Sequence, residues 1–272
     1  EALSNAPPQV MECIDKEFKV QCNPNHGFCI NHFRFVPIDL MDVAGLVPGA
    51  SEGKGLGNQF LDDLRQADVF IHIVDSSGTT NESGKPVIDG GYDPCKDIIF
   101  LEDELNKWYC NILTKVWKTF ARQTEIEDLD FAKAVAKQFS GLKVDEYHVK
   151  RVLLKLKFKE PPSKWTDKQI FEFASELRKE SKPMIIAANK SDMPNSQENI
   201  KRMQDEFSDY LIYPCSADSE LALREAAKAN LIEYIPGNKD FKINEGSKLN
   251  SKQKEALMKI NENVLKVYQG TG

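Results

Sequence analysis

The sequence predicts an α/β protein: a doubly wound, mostly parallel sheet interrupted by an all-helical insertion. Short apolar runs of strand length stand far apart, at Phe33–Met41, Val69–Val74, Met184–Ala188 and Leu211–Cys215. Helical patterns separate most of them, and buried strands that alternate with helices pair in parallel. Over residues 98–180 the apolar spacing is helical throughout, which marks the insertion.

Taken in order, residues 1–33 are irregular and rich in Pro, Asn, Cys and His. Phe33–Met41 is apolar enough for a buried strand, and Gly45, Gly49, Gly53, Gly55 and Gly57 follow it in a loop. Asn58–Ala67 reads as a helix with Phe60, Leu61 and Leu64 on one side. Val69–Val74 is the second strand, ending at Asp75 and a Ser-Ser-Gly-Thr-Thr loop. Leu101, Leu105, Trp108, Ile112, Val116 and Phe120 then form one apolar stripe on a long helix, read as the insertion's own core or a coiled hairpin in preference to a partner-binding face.

Leu129, Ala132, Val135 and Phe139 continue the helical spacing to Gly141, and Asp145 caps a further helix through Val152, Leu153 and Leu156. Thr166 and Gln169 form a capping box before Ile170, Phe173 and Leu177. Strand character returns at Met184–Ala188, which ends in Asn189, and Pro194 precedes a helix. Leu211–Cys215 ends in Ser216-Ala217, ahead of an Ala-rich helix. After the Pro236-Gly237 turn, Leu257, Ile260, Val264 and Leu265 lie on a last helix that Ser251 can cap. The divisions are 1–97, 98–180, 181–237 and 238–272, the second being the insertion and the last a C-terminal helix.

A chain of 272 residues suggests one large or two modest domains, at ~150 residues per domain. The 42 acidic against 36 basic residues give a net charge of −6, which argues against sequence-specific DNA binding. No signal peptide is evident, and no apolar run reaches the ~20 residues of a membrane helix. The six cysteines, with no secretory context, do not make a disulfide scaffold, and the chain reads as cytoplasmic and reduced. Both ends look cut, since the chain opens on Glu1 and closes on Thr271-Gly272 behind a helical pattern.

Chemistry is expected in three loops that follow predicted strands, because ligands of doubly wound sheets sit outside the carboxyl ends of the strands. In the first, Asp42 can hold Mg²⁺, through water, as a hard oxygen ligand. Gly45 can bring its N–H to a γ-phosphate at a distance that a side chain would block. In the second, Asn189-Lys190-Ser191-Asp192, the Asp192 carboxylate can accept two parallel bonds from a base that presents a ring N–H and an exocyclic amine. Guanine offers that pair and adenine does not. Asn189 would tie the loops together and the stem of Lys190 would lie over the base. In the third, the Ala217 N–H can reach guanine O6, with Ser216 shaping the turn.

The run Asp-Val-Ala-Gly-Leu-Val-Pro-Gly-Ala-Ser-Glu-Gly-Lys-Gly-Leu-Gly-Asn-Gln-Phe-Leu (42–61) closely resembles the Obg-like translation-factor GTPases, specifically their YchF-type subfamily in its archaeal branch. Ile-His-Ile-Val-Asp-Ser-Ser-Gly (71–78), the Asn-Lys-Ser-Asp loop and Leu231–Gly237 fit as well. The resemblance implies a P-loop NTPase-type G domain, GTP hydrolysis with Mg²⁺, ribosome association and a following TGS domain. It also implies a Gly-x-x-x-x-Gly-Lys-Ser/Thr loop several tens of residues before Asp42. That loop and the TGS domain are absent from the chain, which is therefore expected to be a fragment. Some family members favour ATP, but Asn-Lys-Ser-Asp speaks for GTP.

Leu46 stands where a Ras-like enzyme has a water-orienting glutamine, as in the Obg-like pattern, so another group, a monovalent cation such as K⁺ or a ribosomal partner would position the water. Glu52 and Lys54 are read as solvated loop charges, and His72 and Asp75 as structural residues. Two competing readings remain. One is a degenerate, non-hydrolysing ribosome- or RNA-binding module. The other treats Cys13, Cys22, His26, Cys29 and His32 as a zinc element, but with no Cys-x-x-Cys pair ordinary buried Cys and surface His are preferred. Lys143, Lys150, Arg151, Lys155, Lys157 and Lys159 form a basic run that can touch rRNA, or a solvated face.

Overall fold

The computed structural model describes residues 2–4, 23, 25, 27–30, 33–43, 64–88 and 91–272. Strands β1 (Ala2–Ser4), β2 (Phe28–Ile30) and β3 (Phe33–Ile38) form an antiparallel sheet in the order β1-β3-β2. β3 is shared between two partners. Its Phe33–Phe35 half faces β2, where Phe28 and Phe35 stack at 5.0 Å, and its Val36–Ile38 half faces β1. This corrects two expectations. The strand ends three residues short of Met41, with Ile38, Leu40 and Met41 exposed. Its described neighbours are antiparallel strands, not the parallel sheet. An apolar run identifies a strand without encoding its partner, so neither point follows from the sequence.

The parallel sheet is built from β4 (Phe70–Asp75), β5 (Met184–Asn189) and β6 (Leu211–Pro214), in that order. Phe70 pairs with Met184 and Asp75 with Asn189 at the two ends of the β4–β5 ladder, while Ile185 faces Leu211 in the next. Successive side chains alternate between faces. Val74, Ile186, Ala188 and Ile212 pack against Ile98, Ile200 and Met203 of the covering helices. Ile71, Ile73, Leu211 and Tyr213, offset by one, are exposed.

Between β4 and β5 the chain is helical: α1 (Cys95–Ile126), α2 (Phe131–Gln138), α3 (Glu146–Leu156) and α4 (Asp167–Ser181). The caps are those the sequence indicates. Asp145 closes a capping box with His148, and Thr166 closes one with Gln169. The buried face of α1 differs from the expected stripe: beyond Trp108 it runs through Leu113, Trp117 and Ala121, one residue on from Ile112, Val116 and Phe120. The cause is a tertiary partner. Trp117 stacks on Trp165 at 5.4 Å and its Nε1 donates to the Pro162 carbonyl, which rotates that face toward α4.

Polar bonds tie α1 and α4 to each other and to the segment before Leu211. The buried Arg178 guanidinium donates to Asn106 Oδ1 and Tyr210 OH, and Tyr109 OH meets Ser181 Oγ at 2.8 Å. After β5 come α5 (Ser196–Glu206), β6, α6 (Ala217–Lys228) and a two-stranded ribbon of β7 (Ile232–Glu233) and β8 (Lys242–Ile243). The last helix, α7 (Ser251–Ile260), continues through a π-helical turn at Asn261–Leu265 to Tyr268. Its cap is Asn250, in a box with Gln253, rather than Ser251: the side chain one residue earlier is the one that meets the third amide of the helix. Among the described residues no helix is long and apolar enough to cross a membrane.

Candidate nucleotide site

The site is built where β4, β5 and β6 end together. Asp75 and Asn189 close adjacent parallel strands as register partners, so the loops that follow start side by side. The Ser76 N–H and hydroxyl both donate to the Asn189 carbonyl, at 2.9 and 2.6 Å. Cys215, just past β6, donates its N–H to the Ala188 carbonyl, and its own carbonyl accepts from Ser191. The segments that follow β4, β5 and β6 are thereby laced to one another through backbone groups.

The side chains continue this pattern. Asn189 Oδ1 accepts the Ala217 N–H at 3.1 Å, joining the second loop to the third. That N–H was expected to meet a base, and here Asn189 engages it. Asp192 Oδ1 accepts from Ser216 Oγ at 2.7 Å. Ser216 is also the N-cap of α6, its hydroxyl receiving the Ser219 N–H. The same residue thus shapes the turn and holds the Asp192 carboxylate. Lys190 has φ +62°, which turns its side chain back toward β4, and its ammonium donates to Asp75 Oδ2 at 2.6 Å.

Asp75 does more than close a strand. Beyond Lys190 it accepts from Ser77 Oγ at 2.5 Å, Thr80 Oγ1 at 2.6 Å and Thr79 Oγ1 at 3.1 Å. Burial pushes its carboxyl up, but the bonds from Lys190, Ser77, Thr80 and Thr79 outweigh that and hold it at about 2. His72, two strand positions earlier on the covered face, is brought down to about 4 by burial, and its Nδ1 has no partner among the described residues.

The chain's last residues close the third loop from behind. Ser216 N–H donates to the Thr271 carbonyl at 2.8 Å, and Thr271 Oγ1 donates to Glu220 Oε2, which also accepts from Tyr234. Gly272 has φ +110°, and a Cβ there would lie 2.2 Å from that of Cys215, so only glycine fits.

Asp42 lies past β3 on residues 39–43, exposed, and makes no hydrogen bond or ion pair with another described residue. Gly45, Leu46, Glu52 and Lys54 lie outside the described residues. So do Cys13, Cys22, His26 and His32, and among the described residues no three metal-ligating side chains come together. In the basic run, Lys143 pairs with Asp68, Lys150 with Glu146, Arg151 with Glu180 and Lys155 with Glu176, so acids balance most of it. Sequence reading missed Asp75, Thr79, Thr80 and Thr271 as parts of this site. Asp75 alone had a usable signal, as the last residue of a strand in a parallel sheet.

Parallel strands whose ends carry Asn189-Lys190-Ser191-Asp192 and Ser216-Ala217 belong to a P-loop GTPase fold. Residues 187–272 match the family described as Obg-like GTPase YGR210-like, G4 motif-containing domain, and residues 15–104 match that of the 50S ribosome-binding GTPase. A GTP-binding protein of Methanocaldococcus jannaschii is 46% identical over 96% of this chain and 64% of its own length. The ribosome-binding ATPase YchF of Bacillus subtilis is 28% identical over 74% of this chain and 55% of its own. The crystal structure of a GTP binding protein from Pyrococcus horikoshii OT3 superposes with a TM-score of 0.69 at 38% identity, covering 93% of this chain and 64% of that one. The chain carries regions similar to Obg-like GTPases, and it spans less than two thirds of the length of each of these three relatives.

Proposed function

We propose that this chain is the base-reading part of a GTPase that hydrolyses GTP to GDP and phosphate with Mg²⁺ and acts in the cytoplasm on the ribosome as a regulator of translation. The 98–180 segment is its helical insertion and the remainder its G domain, with 238–272 leading toward a further domain. The observation that carries the reading is the Asp192 carboxylate, fixed at one oxygen by Ser216 Oγ at 2.7 Å. It keeps acceptor capacity for the ring N–H and exocyclic amine of guanine. Adenine presents an unprotonated ring nitrogen there and no adjacent amine, so it forfeits both bonds. Asn189 holds the third loop against the second, Ser216 and Ala217 close over the base edge, and the Lys190 stem covers one face.

Asp42 fits a divalent cation by its chemistry: it is an exposed carboxylate with no competing partner among the described residues. Mg²⁺ is bound by one or two such groups plus phosphate oxygens and water, and when bound it neutralises charge on the phosphates. Gly45 would offer its N–H to the γ-phosphate. Leu46 cannot orient water, so intrinsic turnover is slow and a ribosomal partner or K⁺ completes the arrangement. The names of the relatives support ribosome binding, and the YchF relative's name admits ATP as the rival nucleotide.

The test is Asp192→Asn in the full-length gene product. Asparagine presents one donor and one acceptor, the complement of xanthine rather than guanine. GTP affinity should fall on the order of 100-fold, as two charge-assisted bonds are lost, and XTP affinity should rise. Unchanged GTP affinity overturns the guanine reading. ATP competing as well as GTP against the wild type would make this an ATP-preferring member. Phosphate release that is absent even with ribosomes, Mg²⁺ and K⁺ would leave a non-hydrolysing binding module.

A further inference from the structure

Lys190 and Asp192 belong to the same loop, yet they are held by different neighbours. Asp192 is held from the third loop by Ser216. Lys190 is held from the opposite side by Asp75, on the adjacent strand, through an ion pair at 2.6 Å. Asp75 is itself immobilised. Its side chain is 9% exposed, against 38% for that of Lys190. Hydroxyls of Ser77, Thr79 and Thr80 occupy both of its oxygens, and Lys190 Nζ also approaches Thr79 Oγ1 at 3.4 Å. Fixing a lysine costs side-chain freedom. A fixed acceptor on the neighbouring strand means that cost is met within the empty protein rather than on binding.

We propose that Asp75 is the positioning residue for Lys190: it draws the ammonium toward β4 so that the four-carbon stem lies flat as one wall of the purine slot. This deepens the guanine-binding reading and rests on it. The wall is apolar and touches the face of the base, not its edge, so Asp75 sets affinity for any purine the slot accepts. The choice among purines stays with Asp192. The two residues therefore have separable signatures. Loss of Asp75 lowers affinity without altering discrimination, and loss of Asp192 alters discrimination.

The experiment measures GDP and XDP affinities for the full-length gene product carrying Asp75→Asn, Asp192→Asn and both. Asp75→Asn should weaken GDP binding about 10-fold in the wild-type background, and XDP binding by the same factor in the Asp192→Asn background. Lys190→Met, which keeps an unbranched stem but severs the ion pair, closes a double-mutant cycle. Adding Asp75→Asn to Lys190→Met should cost no further affinity. A further loss of similar size would mean that Asp75 acts through the threonine loop instead, and would overturn the proposal. So would an Asp75→Asn protein that binds GDP as tightly as wild type, or one whose preference for GDP over XDP changes. Should Asp75→Asn not fold, Lys190→Met alone decides: wild-type GDP affinity overturns the proposal, and a tenfold loss supports it. Failure of the guanine reading shows separately, as an Asp192→Asn protein that gains no affinity for XDP.

Discussion

The helical block between β4 and β5 and the loops at the strand ends are held together by opposite means. In the block, the rings of Trp117, Phe131, Trp165 and Phe173 all touch one another, with centroids between 5.1 and 6.2 Å apart. Each such side chain contributes apolar area, roughly 1.5–3 kcal/mol when fully buried, with little demand on the position of any one atom. In the loops, Asn189 holds Ala217, Asp192 holds Ser216 and Asp75 holds Lys190, each pair through a single hydrogen bond. Each bond is worth only ~1 kcal/mol net, but each fixes a particular atom. A region that must be stable can spread its energy over area, whereas a region that must read a base needs few atoms in fixed places.

The sharpest way to test that contrast is Trp117→Ala. It empties the centre of the aromatic cluster and leaves the Pro162 carbonyl without its indole donor. Unfolding free energy should fall by about 3–5 kcal/mol in a denaturant titration, while nucleotide affinity of the folded fraction stays near wild type. A comparable loss of affinity would show that the block and the loops are one energetic unit.

Ser216→Ala should do the reverse. It removes the α6 cap and the Asp192 contact together, so stability falls by only about 1 kcal/mol while GDP affinity drops about 10-fold. Calorimetry on the same protein reads both. Thr166→Ala, at the exposed start of α4, removes a cap and no function. It should cost about 1 kcal/mol or less in thermal unfolding and leave affinity unchanged.

A further effect is set by pH. The folded Asp75 carboxyl is held at about 2, below the ordinary value near ~4 of an unfolded chain. A depressed carboxyl contributes stability that is fully present above the ordinary value and is lost as pH falls through the folded one. The stability difference between wild type and Asp75→Asn should therefore be constant from pH 7 to about 5 and shrink between pH 4 and 2. A difference that does not change over that interval would mean that the ion pair with Lys190 contributes nothing.

Local elements were legible because local chemistry decides them. Asp145, Thr166 and Gln169 cap the helices they were expected to cap, since a cap needs only a side-chain oxygen and an amide three residues on. The runs at Val69–Val74, Met184–Ala188 and Leu211–Cys215 became β4, β5 and β6 within a residue at each end. The Asn-Lys-Ser-Asp and Ser-Ala loops, placed after strands by the sequence, do lie at the carboxyl ends of adjacent parallel strands.

What the chain order does not contain is which elements meet. Phe33–Ile38 was apolar enough to be a strand, but its antiparallel partners were settled only by pairing. The buried face of α1 moved one residue at Trp117 because Trp165, distant in sequence, supplied the ring to stack on. Asp75 reads in the sequence as a structural residue at a strand end, and only register places it beside Asn189 and within reach of Lys190. Capping, periodicity and loop composition act over a few residues and are written in the sequence. Ion pairs and ring contacts act across space, so only the tertiary structure decides which residues form them.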